Sequence, residues 1–248
     1  MKRICMLISL LVAGCGMAFA TPSTQIWNPS TDIQELHKWH LGIDDYFSVV
    51  SNDTKPNQTS TDVNLTYGLI KNLEVGIDIF EPRQDPEQFN VKYGLPESDK
   101  VPAFAVGIEN VGLRVDNSNA LRPANNYNIA YALVAKTFKA GTMSLPRVSV
   151  GYYIGNGNLL VDETGAAANT GVILSLDKQI NDKWWAAIDY ASGRSWYGET
   201  SFGFSYAFAP NTSVIFGYVI YNNSSPNLIT QNVNTTNNQF TTQLDINF

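Results

Sequence analysis

Beyond position 15 this chain has no cysteine, and it has only two histidines, His37 and His40. The missing cysteines exclude a disulfide-stapled scaffold for the body of the protein. The shortage of histidine leaves base-assisted nucleophilic catalysis with two candidates. Positive charge is also scarce, with 16 Lys and Arg against 22 Asp and Glu. No basic run occurs anywhere, which argues against nucleic acid as a partner. After the first twenty residues no apolar stretch approaches the length of a membrane-spanning helix, so a helical membrane protein is excluded. A secreted β-domain and a β-barrel remain.

The first residues read as a leader. Lys2 and Arg3 precede an apolar run over 4–12 broken only by Ser9, and Ala18-Phe19-Ala20 stands before Thr21. That order is a secretory signal peptide cleaved after Ala20. A competing reading takes Val12-Ala13-Gly14-Cys15 as a bacterial lipobox with Cys15 lipidated. The polar segment that follows directly favours cleavage after Ala20. Cleavage there removes both cysteines. Loss of Lys2 and Arg3 from the 16 basic residues leaves 14 against 22 acidic ones, a net charge of −8.

What the sequence does contain is period-two alternation. Val63, Leu65, Tyr67 and Leu69 oppose Asp62, Asn64, Thr66 and Gly68, and Leu73, Val75, Ile77 and Ile79 oppose Glu74, Gly76, Asp78 and Phe80. The same holds for Tyr127 to Leu133, Phe202 to Phe208 and Val214 to Ile220. Strands with two unlike faces give this signature, and no helical stripe competes with it. About twelve strands follow, near 38–50, 61–71, 73–82, 87–96, 101–113, 126–138, 146–155, 167–178, 184–192, 198–209, 212–222 and 239–248. The fourth is the weakest. Tight connections such as 71–72, 181–183 and 209–211 mostly alternate with longer polar ones, above all 222–238; 83–86 and 193–197 are short and break the alternation, but the trend fits two unlike rims.

The apolar face is large and aromatic, whereas the other is small or polar. A soluble sandwich turns its apolar face inward, and a barrel in lipid turns it outward. Aromatics near the strand ends favour the barrel. Trp39, Phe104, Trp184, Phe208 and Phe248 fall towards one rim, and Tyr127, Tyr190, Phe202 and Phe240 towards the other, as interface belts do. The last residues, "TTQLDINF", alternate and finish on Phe248. On these patterns the chain resembles the outer-membrane β-barrel proteins of Gram-negative bacteria, porin-like and without an assignable subfamily. The resemblance implies an all-β, up-and-down transmembrane antiparallel barrel over 38–248 in the bacterial outer membrane. It implies outer-membrane lipid as the surroundings and Phe248 as the signal read by the barrel-assembly machinery. Residues 21–37 form an N-terminal segment that either enters the lumen or lies at the periplasmic mouth.

With the apolar face outward, the lumen is lined by Asp44, Asp62, Glu74, Asp78, Glu109, Asp177, Asp189 and Asp245 against Lys92, Lys136 and Arg147. Asp78, Lys92 and Glu109 fall at similar height on successive strands, which places a lysine between two carboxylates. The surplus of carboxylates gives a narrow lumen a mild preference for cations or neutral polar solutes. A non-transporting barrel whose long connections bind an outside partner is the alternative.

No enzyme, cofactor or metal is expected. His37 and His40 do not open the His-x-Ser pattern of outer-membrane phospholipase- or deacylase-type barrels, and they lie at the wrong rim for an omptin-type dyad. Their odd separation on a strand sends them to opposite faces, so they do not pair on zinc. The stretch "GNGNLLVDETG" lacks the spacing of a calcium loop, and Arg194 and Trp196 in "GRSWYGE" are placed on an outer loop. Asp45 and Asn110 fall on the lipid face, which calls for a bulge at 44–45 or a higher position for Asp45.

Overall fold

The computed structural model describes residues 23–48, 59–81, 87–116, 118, 124–223 and 238–248. The leader, with Cys5, Cys15 and the expected cleavage after Ala20, lies outside the described residues. So does most of the polar connection 222–238.

Twelve strands follow one another: β1 (Trp39–Ser48), β2 (Thr59–Ile70), β3 (Leu73–Glu81), β4 (Glu87–Leu95), β5 (Ala103–Val111) and β6 (Ile129–Ala140), then β7 (Met143–Ile154), β8 (Thr170–Gln179), β9 (Trp184–Ala191), β10 (Glu199–Ala209), β11 (Thr212–Tyr221) and β12 (Gln239–Asn247). Each pairs antiparallel with its neighbours in sequence, and β1 pairs with β12, so the sheet closes into a barrel. Closure removes the free edge that an open sheet would expose. At the seam the Phe248 amide donates to the Trp39 carbonyl at 3.0 Å and the Trp39 amide to the Phe248 carbonyl at 2.8 Å. The weak fourth strand forms. The connection expected over 139–145 is instead a tight turn with Gly141 at φ +64°, because β6 and β7 run further towards this rim.

The alternation places apolar side chains outside. On β8 Val172, Leu174 and Leu176 are exposed and Ile173, Ser175 and Asp177 are buried. Val91, Tyr93, Val106, Val150, Tyr152, Ile188 and Phe204 continue the apolar exterior around the wall.

One strand reverses the expected faces. On β6 Ile129, Tyr131, Leu133 and Ala135 are buried inside, and Ala132 and Val134 are exposed outside. Both faces of this strand are apolar, so alternation alone cannot orient it. The neighbouring strands decide. Tyr131 stands opposite Gly107 of β5 and Leu133 opposite Gly151 of β7. A Cβ at Gly151 would collide with Leu133 Cδ2, and one at Gly107 would meet the Tyr131 hydroxyl at 2.5 Å. Small residues on both sides make the room that the large inward side chains fill. Tyr127 goes with them. It is 2% exposed inside the barrel and no part of an outer belt.

The two polar residues expected on the outer face resolve differently. β5 carries one extra residue between its pairings with Phe89 and Val91, a bulge that puts Asn110 at φ 54° and turns it towards the lumen. Asp45 stays outside in unbroken register opposite Thr61, whose hydroxyl donates to Asp45 Oδ1 at 2.6 Å.

The reversal of β6 is testable. Leu133→Ala should cost about 2–5 kcal/mol, as truncation of a packed interior leucine does. Val134→Ala, on the exterior, should cost markedly less. Urea unfolding of the refolded barrel followed by tryptophan fluorescence measures both, and the opposite ranking would return Leu133 to the outside.

Candidate functional site

Residues 23–35 run inside the barrel, entering at the rim of tight turns where Leu36 bridges to Gly68. They fold back as a narrow hairpin. Thr24 bridges Pro29, the Gln25 amide donates to the Asn28 carbonyl at 2.9 Å, and the Ser30 amide to the Ser23 carbonyl at 3.0 Å. The tip carries the segment's large apolar groups. Ile26 packs with Trp185, Ala187 and Ile215. Trp27 meets Tyr46, Tyr221 and Trp196 edge-on at centroid distances of 5.6, 5.7 and 6.2 Å.

The wall holds this hairpin with charge. Asp189, fully buried on β9, accepts the consecutive amides of Ile26, Trp27 and Asn28 on one oxygen at 2.9, 3.0 and 3.3 Å. Successive amides converging on one anion form a nest, here occupied by a carboxylate of the same chain. Gln243 Nε2 donates to the Ile26 carbonyl at 2.8 Å. Asp177 accepts Gln25 Nε2 at 3.0 Å, Arg147 Nε at 2.9 Å and Trp185 Nε1 at 3.3 Å. Arg147 then clamps Asp32 through both terminal nitrogens, each at 2.7 Å. Such two-pronged pairs fix orientation as well as charge. Lower in the lumen Glu74 accepts the Ser23 hydroxyl and the Gln34 amide, each at 2.6 Å, and pairs with Lys92 at 3.1 Å. Lys92 also donates to the Ser23 carbonyl at 3.0 Å. The lysine therefore pairs with Glu74, directly opposite it in register.

The other side of the lumen divides in two. Against β6 to β9, Tyr127, Ile129, Leu133, Tyr153 and Ile173 pack with Leu159, Leu160, Trp196 and Tyr197, which fold in from connections at the rim of long connections. Trp196, expected on an outer loop, is therefore buried inside. Against β1 to β5 a cavity of about 560 Å³ remains, flanked by the hairpin. It extends from Thr59, Ser60 and Gln239 at the ends of the strands down to Glu74 and Lys92. Asp44, Asp62, Asp78 and Glu109 line it. Asp44 and Asp62 stand directly opposite each other on β1 and β2. Neutral groups donate to three of the four: Asn64 to Asp44 at 3.3 Å, Asn90 to Asp78 at 2.6 Å, and the Tyr197 hydroxyl to Glu109 at 2.7 Å.

The remaining expected residues lie elsewhere. Asp245 is buried near the tight-turn rim, 3.5 Å from His40 Nε2 and accepting the Ser213 hydroxyl at 3.3 Å. Lys136 is not in the lumen. It shares the outward parity of β6 and reaches Glu97 at 3.0 Å and the Ser98 carbonyl at 2.7 Å in the neighbouring turn. Burial tends to raise the Glu97 carboxyl, but the Thr137 amide and Lys136 hold it below its ordinary value. Trp39, Trp184, Tyr190, Phe202, Phe208 and Phe248 are exposed on the outer wall, and Phe104 and Phe240 are partly buried there. Sequence reasoning missed Glu199, which is fully buried inside β10, and Asp32. Asp162 caps its own loop by accepting the Thr164 amide and hydroxyl and the Ala166 amide.

The Asp32–Arg147 clamp gives the hairpin a pH dependence. Burial on its own raises the Asp32 carboxyl, but hydrogen bonds and charge from Arg147 overcome it and hold the group below its ordinary 3.8. A depressed carboxylate stabilises docking above that value and loses the contribution as pH falls through its own lower value. Amide exchange over residues 25–29 should therefore stay slow from neutral pH down to about 4 and quicken below it. Asp32→Asn should quicken exchange already at neutral pH, and unchanged protection in that variant would remove Asp32 from the docking interaction.

No family model matches the chain, and no curated relative does. Among solved structures it is similar to Salmonella typhi OmpF in complex with daunomycin at 10% identity and TM-score 0.43, over 85% of this chain and 96% of that one. It is similar to the NanC porin at 11% identity and TM-score 0.46, over 84% and 98%. A third similarity is to Pseudomonas putida OprB at 10% identity and TM-score 0.34, over 86% and 94%.

Proposed function

We propose that this chain is an exported outer-membrane barrel acting as a narrow passive channel, with a mild preference for cations over anions. The observation that carries the reading is the acid-lined space beside the hairpin, enclosed by a wall whose exterior is apolar. An apolar band around a closed barrel belongs in lipid, where unpaired backbone is not tolerated and charged groups face the lumen. The exposed rings of Trp39 and Trp184 near one rim and Tyr190 nearer the other suit the two interfaces of a bilayer. On this reading Phe248, at the β1–β12 seam, is what the assembly machinery reads. Solutes pass through the space between the hairpin and β1 to β5, and its carboxylates set the sign of the ions admitted.

A second reading is favoured by one observation. The inward packing of Leu159, Leu160, Trp196 and Tyr197 fills the other half of the lumen. That filling suits a barrel that serves as a rigid base for an outside partner and does not conduct.

Conductance of the refolded protein in a planar bilayer separates the two. The channel reading expects small discrete openings with cation preference, and Asp44→Asn should lower that preference. Asp189→Ala should raise the conductance, because it removes the acceptor of three hairpin amides and frees the hairpin from the lumen. A folded barrel that conducts nothing, with or without Asp189, would leave the second reading.

A further inference from the structure

We infer that the outer wall around the β1–β12 seam is the contact face of a two-fold dimer with a second copy of this chain. The inference rests on the reading that the apolar exterior lies in lipid, and goes beyond it by taking one sector of that exterior out of lipid.

Asp45 is the first observation. It points outward in unbroken register between Thr61 of β2 and Thr242 of β12, which share its face of the sheet. Its strand begins at Trp39 on the tight-turn rim, about 20 Å away along the chain and about 15 Å in height at the usual tilt. Phe47 and Phe240, with ring centroids 5.4 Å apart, lie between it and the other rim. The carboxylate therefore sits within the apolar band of about 25 Å, not at its edge. Thr61 donates to Oδ1 at 2.6 Å, and among the described residues no cation pairs with Asp45 and no donor reaches Oδ2. A carboxylate turned to lipid is costly, and ionisable groups at membrane depth sit against protein.

The exterior rings are a second, independent observation. Trp184, Phe204, Phe216, Phe240 and Phe47 form a continuous chain over β9 to β12 and β1, with successive centroid distances of 5.7, 5.7, 6.5 and 5.4 Å. The chain starts at the first residue of β9, on the tight-turn rim, and ends one residue before the end of β1, on the other. It crosses the wall from rim to rim, whereas a belt of interface aromatics stays at one height. Elsewhere on the wall Phe89, Tyr93 and Tyr152 are exposed with no ring neighbour among the described residues. Aromatic surface gathered on one sector is what the cores of protein interfaces carry.

The chemistry of the patch names its occupant. Asp45 offers an unfilled acceptor, and Thr242, directly opposite on β12, offers a hydroxyl donor, so the patch is complementary to itself. A two-fold axis along the membrane normal, passing in front of the β1–β12 seam, sets Asp45 of each copy against Thr242 of the other. The same patch used twice makes a closed contact, with the rings packed beside the polar pairs.

The test uses the protein expressed with its leader. Thr242→Cys should give a dimer on oxidation in intact membranes, and Leu174→Cys, outward on β8 across the barrel, should not. After extraction in mild detergent, sedimentation equilibrium should show a dimer of the unsubstituted protein. Asp45→Leu should weaken that dimer about tenfold or more, the scale of a lost hydrogen bond to a charged group. Phe216→Ala should weaken it severalfold, and Leu174→Ala should leave it unchanged. Urea unfolding of each variant establishes that the barrel is intact. Thr242→Val, which keeps the side-chain shape and removes the hydroxyl, should weaken the dimer even if Asp45→Leu fails to assemble. A carboxylate that merely faces lipid gives another pattern: Asp45→Leu would resist urea better and leave the mass unchanged. That pattern, or a monomer that Thr242→Cys does not trap, would overturn the interface. Protein recovered outside the membrane fraction would refute the lipid reading, whereas an inserted monomer would refute this interface alone.

Discussion

One carboxylate oxygen organises the interior of this barrel. Asp189 Oδ2 gathers three consecutive amides from the tip of the hairpin, in a position from which water is excluded. The amides at a hairpin tip have no strand partner, and a buried carboxylate needs donors, so each group answers the other's deficiency. Without this contact the hairpin would present orphan donors to the inside of the barrel and Asp189 would be an uncompensated buried charge. Ile26 and Trp27 are carried to the centre of the lumen by the same contact. There the indole of Trp27 meets aromatic rings from β1 and β11 and from the connection before β10. Arg147, Asp177, Glu74 and Lys92 then fix the two arms.

The hairpin also changes what the lumenal charges are for. A surplus of acidic residues along inward-facing positions reads as an electrostatic filter when the lumen is empty. Once residues 23–35 occupy it, Glu74, Asp177 and Asp189 become ligands of the hairpin, together with Lys92 and Arg147. Buried ion pairs of this kind contribute little net stability against apolar packing, but removing one partner is costly, so they fix position more than they add strength. Among the carboxylates that line the cavity beside the hairpin, Asp44, Asp62, Asp78 and Glu109 are on β1 to β5. The opposite half, from β6 to β9, is filled with apolar side chains. The barrel is thus one wall of solid packing, one wall of acid-lined cavity, and a hairpin between them.

Most of the fold is legible in the sequence because a half-polar strand announces both its period and its faces. Strand number follows from that alternation, and closure of β12 on β1 from the resemblance that rests on it. Each departure occurs where the signal is degenerate. β6 carries apolar residues on both faces, so its orientation is set by Gly107 and Gly151 on other strands, and Tyr127, Tyr131 and Leu133 turn inward. Lys136 follows that reversal outward. Asn110 enters the lumen through a single-residue bulge, which period-two reading cannot place in advance. The position of the hairpin is not encoded as periodicity at all. Its local signal is the Ile26-Trp27 pair in a polar segment.

The distribution of apolar side chains inside the barrel bears on its mechanical character. A water-filled lumen gives the wall no internal support, and its shape then depends on the strands alone. Here Tyr131, Leu133, Tyr153 and Ile173 pack with residues folded in from two connections, so the wall from β6 to β9 is braced as a soluble core is braced. The wall from β1 to β5 has no such filling and keeps its carboxylates at the edge of open space. Internal bracing is thus concentrated on the filled side, and the open space with its carboxylates on the other.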